Sequence, residues 1–130
     1  MGKLHFKELK VWQKSIELVK EIYLLDKSLP KEEMFVLSSQ IKRAVISISS
    51  NIAEGNSRGT KKEYINFLTI ARGSTSEVWN QIIICEELGY LKKEETEKAI
   101  SLCEEIIKML NALIIKLKEN TSTRAEGTAL

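Results

Sequence analysis

Residues 51–60 read NIAEGNSRGT. The stretch lies between two long segments with helical patterning, and its reading decides the fold. Asn51 to Glu54 can continue a helix, and Gly55 can end one in the left-handed conformation. Thr60 opens the run TKKE, in which Thr60 and Glu63 have the spacing of a capping box: the hydroxyl accepts from the backbone and the carboxylate reaches back. NIAEG therefore closes one helix, NSRG is the loop, and Thr60 caps the next. A phosphate-cradling loop would need a preceding strand and a Gly-Lys-Ser/Thr triplet, and both are missing.

Helical periodicity continues on both sides of this corner. Upstream, Met34, Leu37, Ile41, Val45, Ile48 and Ile52 recur at steps of three and four, which predicts a helix over 31–54. Pro30 suits its first position, and Glu32 and Glu33 suit its first turn. Downstream, Tyr64, Phe67, Leu68, Ala71, Thr75, Val78, Ile82 and Cys85 predict a helix over 61–87, with Gly89 as its stop. A last helix over 92–118 carries Ala99, Cys103, Ile106, Leu110, Leu113 and Leu117. A first helix over 7–27 carries Leu9, Trp12, Ile16, Val19 and Tyr23, widened by Val11, Leu18, Ile22 and Leu25. Four amphipathic helices with short connections predict an all-α, antiparallel up-down-up-down four-helix bundle. It occupies residues 1–119, and the small, polar stretch 120–130 is expected to be a flexible tail.

Composition agrees with one soluble domain: 130 residues, 43% hydrophobic, 29% charged. No apolar run approaches the ~20 residues of a membrane span. MGKLHFKELK lacks the apolar core of an export signal, so a cytoplasmic location is expected. Cys85 and Cys103 sit on or beside apolar faces and read as buried, reduced thiols. His5 is the only histidine, so neither a zinc site nor a Glu-x-x-His di-iron core can be assembled. A nucleophile, a base and an orienting group cannot be assembled either. No metal, no cofactor and no enzymatic activity are expected.

Charge is unevenly placed. Between Ser39 and Arg72 there are six basic residues (Lys42, Arg43, Arg58, Lys61, Lys62, Arg72) against Glu54 and Glu63, a surplus of four in a chain whose net charge is +2. Arg58, Lys61 and Lys62 flank a helix N-terminus, whose free N–H groups favour anions. Arg43, Arg58, Lys61, Lys62 and Arg72 are thus candidate phosphate contacts; a solvated loop is the alternative. A second feature is the polar line Gln40, Arg43, Ser47, Asn51 and Glu54, whose side chains suit directed hydrogen bonds more than mere solvation. Its counterpart is ARGSTSE at 71–77, where Gly73 and Ser74 cost helix propensity but allow close approach. Trp79, with Ile65 and Ile83, lies off the inner stripe, which fits either self-association or the covering of a bundle edge.

QIKRAVISISSNIAEGNSRGTKKEYINFLTIARGSTSEV resembles the four-helix-bundle proteins encoded in intervening sequences of bacterial 23S ribosomal RNA genes. The residues that carry the likeness are Gln40, Arg43, Ala44, Asn51, Ile52, Ala53, Glu54, Gly55, Arg58, Ala71, Gly73, Ser74 and Glu77; LKVWQKSIEL and LGYL also fit. Lys42 departs from the family's usual Arg, and Ser49 from a frequent Pro. The resemblance implies a homopentamer, which is expected to close through the outer side of the third helix and the polar line of the second. It also implies kinship with accessory proteins of diversity-generating retroelements, which bind nucleic acid and a reverse transcriptase. It implies no reaction. Two functions stay open: an oligomeric RNA- or nucleoprotein-binding protein, and a protein–protein scaffold with a basic rim. Asn51, Glu54 and Arg58 are expected to hold the corner and a subunit contact.

Overall fold

The computed structural model describes residues 5–129, with side chains up to residue 119. It contains four α-helices: α1 (Lys10–Asp26), α2 (Leu37–Asn56), α3 (Lys61–Glu87) and α4 (Lys93–Ala129). Short 3₁₀ turns at Phe6–Glu8 and Lys31–Glu33 precede α1 and α2. No strand occurs among the described residues.

The helices run antiparallel, as the pairings between them show. Gln81 reaches Gln40, Ser74 reaches Ser47, and Asn56 reaches Tyr64, so α2 numbers rise as α3 numbers fall. The same holds for α3 and α4, through Arg72 with Asn111 and Glu86 with Thr96. It holds for α1 and α4 through Lys14 with Glu105 and Lys98 with Glu21. Each helix packs on its neighbours in the order α1, α2, α3, α4 and back to α1, with α1–α3 and α2–α4 on the diagonals. This is the up-down-up-down bundle that short connections dictate.

The core is aliphatic. Leu18, Ile22, Val45, Ile48, Ile52, Leu68, Val78, Ile82, Ile106 and Leu110 are shut off from solvent. Cys85 and Cys103 lie among them as free thiols, and burial pushes them up to about 11 and about 12. α3 spans 61–87, as its pattern predicts. Glu63 N–H donates to Thr60 Oγ1 at 3.1 Å. The Glu63 carboxylate, however, accepts a hydrogen bond from the Thr60 hydroxyl (3.0 Å) rather than from the Thr60 backbone N–H. At the other end Gly89 has φ +80, with Tyr90 N–H bonded to the Cys85 carbonyl and Gly89 N–H to that of Glu86. That is a Schellman closure.

Four expectations fail. Pro30 does not open α2; it precedes the 3₁₀ turn Lys31–Glu33, and α2 starts only at Leu37. Val36 at φ −119, ψ −91 interrupts the helix there, and Met34, expected in the stripe, is exposed. Gly55 does not end α2, which runs on to Asn56; Gly89 alone has positive φ among the described residues. In α1 the buried line is Val11, Ser15, Leu18, Ile22 and Leu25. Leu9, Trp12 and Val19 pack at its margin, and Tyr23 is exposed. α1 is apolar on two adjacent lines, so periodicity alone does not say which one meets α2 and α4. Finally, the α4 backbone is helical to Ala129, past the expected end near 118; no Gly or Pro interrupts the chain before Gly127. The side chains of the expected tail, 120–130, lie outside the described residues.

Candidate functional site

The α2–α3 pair carries most of the residues singled out by the sequence. Gly55 is the reason these helices can close at the corner. A Cβ built there would stand 2.7 Å from Phe67 Cβ and 3.1 Å from the Tyr64 ring. Glycine thus serves close approach here, not a turn. Asn56, buried beside it, donates to the Tyr64 hydroxyl at 3.4 Å. Burial pushes the Tyr64 phenol above its ordinary value, the main effect, and the Asn56 bond opposes it.

Arg58 ties the corner together. Its guanidinium lies 3.1 Å from Glu54 and 3.9 Å from Glu63, and stacks over the Phe67 ring with 4.9 Å to the centroid. One cation therefore links the end of α2, the loop and the first turns of α3. The ion pairs are partly exposed, so each contributes modestly, and their geometric convergence matters more than their sum.

The polar line of α2 faces α3 across a surface groove of about 400 Å³. Its lining is Gln40, Arg43, Ala44, Ser47, Ser74 and Glu77. Ser47 Oγ and Ser74 Oγ are 3.0 Å apart. Asn51 Nδ2 donates to the Ser47 carbonyl at 2.8 Å and to Ser47 Oγ at 2.9 Å. Gln81, buried beneath, donates to Gln40 Oε1 (3.4 Å) and to Glu77 (3.5 Å), both long. Ser49, in a position that suits proline in the related pattern, keeps its backbone N–H, and α2 runs through it unbroken.

The six basic residues of the 39–72 window are not one patch. Lys42 pairs with Asp26 at 2.9 Å, and that contact raises the lysine's pKa. Arg72 donates to Asn111 Oδ1 at 2.8 Å and so holds α3 to α4. Arg58 serves the corner. Arg43, Lys61 and Lys62 remain at the surface with no ion pair among the described residues. The α2–α3 register sets Arg43 level with about residue 78, roughly 25 Å along α3 from Lys61. Gly73 is exposed, and a Cβ there would meet only open space; Ser74, next to it, hydrogen-bonds to α2. Ile65 and Trp79 pack against the core, so within the protomer Trp79 covers the bundle edge.

Sequence reasoning missed one feature. Phe35 is 88% exposed, and Met34, Val36, Ile84 and Leu88 are exposed as well. The α2–α3 register and the Tyr90–Glu33 hydrogen bond (2.9 Å) bring these segments to the same end of the bundle. The signal was hidden because Met34 reads as the first member of the α2 stripe, and Phe35 and Val36 fall inside the helix expected over 31–54. Among the described residues no cluster of His, Cys, Asp or Glu could hold a metal ion, and no helix is long and apolar enough to cross a membrane.

Comparison with known proteins places this arrangement. A protein of unknown function from Bacteroides thetaiotaomicron, of the S23 ribosomal protein family, has a similar crystal structure. The TM-score is 0.74 at 31% identity, over 80% of this chain and 97% of that one. A search of curated proteins finds no match. The family model described as 23S rRNA-intervening sequence protein matches residues 7–112, which takes in α1, the corner, the groove and most of α4's buried face. With most of its length matched and the four helices in place, the chain belongs to the 23S rRNA-intervening sequence protein family.

Proposed function

We infer that the protein is a non-catalytic, oligomeric RNA-associated protein that contacts RNA through the basic residues Arg43 of α2 and Lys61 and Lys62 of α3. The observation that carries this is the surface position of Arg43, Lys61 and Lys62, unneutralised by any ion pair among the described residues, in a family named for ribosomal RNA. Arg58 and Arg72 are assigned to the fold, since both are engaged within the protomer. Three cations dispersed over one protomer bind RNA weakly. Repetition of the set in an oligomer multiplies weak contacts without any new one. The exposed apolar end around Phe35 and Leu88 gives self-association a surface. The resemblance implies that the assembly is a pentamer.

The test is gel shift with fragments of 23S ribosomal RNA across salt. Each neutralised phosphate releases counterions, so affinity should fall by orders of magnitude between low and physiological salt if about six or more contacts form. Arg43→Glu/Lys61→Glu/Lys62→Glu should abolish the shift. Undiminished binding by that variant, or none by the unaltered protein at low salt, would favour a second reading, a protein–protein scaffold. That reading draws support from the internal engagement of Lys42, Arg58 and Arg72, which leaves only half of the window's cations outside an ion pair or hydrogen bond among the described residues.

A further inference from the structure

The α2–α3 groove has hydrogen-bonding capacity that the fold does not consume. Ser47 and Ser74 each bring one hydroxyl proton, and the contact between them uses one. Asn51 donates into the pair and takes nothing from it. Whichever serine donates, one hydroxyl proton is left with no acceptor among the described residues. Both serines line the groove, so that spare donor belongs to its wall. Arg43 lines the same groove with an exposed guanidinium. So does Glu77, an exposed carboxylate whose one hydrogen bond is the long contact from Gln81. Arg43 and Glu77 thus share one groove without forming an ion pair. A single ligand satisfies both when it carries an anionic acceptor and, beside it, hydrogen-bond donors.

We propose that this groove holds one unpaired nucleotide of a bound RNA, with its phosphate at Arg43 and the serine pair and its base edge at Glu77. The proposal rests on the RNA association inferred above and adds a base preference to it. A volume of about 400 Å³ admits a nucleotide. An ionised carboxylate only accepts hydrogen bonds. Guanine offers N1–H and N2–H side by side, which match its two oxygens. Adenine and cytosine offer an amino group alone. Uracil offers one N–H between two carbonyls that the carboxylate repels. The expected order is guanine, then adenine and cytosine, then uracil. The base must be unpaired, because pairing would occupy this edge.

The experiment is fluorescence anisotropy with short single strands of alternating adenine–guanine and alternating adenine–uracil. The unaltered protein should bind the guanine strand about tenfold more tightly, the discrimination typical of one good bidentate base contact. Glu77→Gln turns an acceptor into a group that both donates and accepts, so the preference should shrink to about twofold while the uracil strand binds as well or better. Arg43→Gln should weaken both strands alike and flatten the salt dependence, the mark of a phosphate contact. Both positions are exposed, and unchanged helicity by circular dichroism confirms folding. Equal binding of both strands by the unaltered protein, or a preference that survives Glu77→Gln, would overturn the groove's role and leave RNA association standing. Failure to bind either strand at low salt, while 23S ribosomal RNA fragments still shift, would overturn the groove's role alone; failure of the fragments as well would overturn both.

Discussion

Gly55, Arg58 and Thr60 show how single residues set the corner between α2 and α3. At Gly55 α2 lies against α3: a methyl group would press on Phe67 Cβ, which is fixed to the main chain and cannot swing away. Gly55→Ala gains up to ~1 kcal/mol of helix propensity, yet overpacking typically costs about 1–3 kcal/mol. It should therefore lower the midpoint of urea unfolding; a raised midpoint would show that α3 can move aside. The sequence announced a special glycine here, and it resembled a helix terminator because Asn-Ser follows it. Its real cause, a contact with α3, lies outside local patterning. Thr60 was legible because a cap is a local event spanning four residues. The partners of Arg72 and Lys42 were not legible, because Asn111 and Asp26 are brought to them only by the packed bundle.

Among the elements, α3 was the most legible and the entry to α2 the least. α3 begins at a capped Thr and ends at a left-handed Gly, and every turn between carries buried residues. The segment 31–36 contains good helix formers after a proline, but its side chains find no core at that end. The chain makes a 3₁₀ turn and leaves Met34, Phe35 and Val36 outside. In α1 the period was readable and the facing was not, since two neighbouring lines are apolar. Mid-α3, Gly73 sits exposed on an otherwise regular helix. Gly73→Ala should stabilise the protomer by about 0.5–1 kcal/mol, because alanine loses less backbone freedom on folding. Thermal unfolding at low protein concentration measures this. Destabilisation there would place a close neighbour at Gly73.

At the scale of the whole molecule, two surfaces are left for partners. The apolar end around Phe35, Ile84 and Leu88 should pack against another copy of the chain. Light scattering after gel filtration should give a mass several times that of the protomer. Phe35→Glu/Leu88→Glu should reduce it to one protomer with helicity kept, and a monomeric unaltered protein at about micromolar concentration would remove this surface from the account. The other surface is the basic and polar face of α2 and α3. The bundle itself could be read from periodicity and the family from its motif. The division of the basic residues into those that hold the fold and those that face outward could not, because it depends on side-chain contacts between helices. That division is the central claim, and ultraviolet cross-linking to a 23S ribosomal RNA fragment at low salt, followed by mass spectrometry of the linked peptides, tests it most directly. The account predicts links in the peptides around Arg43 and around Lys61 and Lys62. Links confined to peptides that lack these residues, such as those around Lys92 and Lys93, or no links at all, would contradict it.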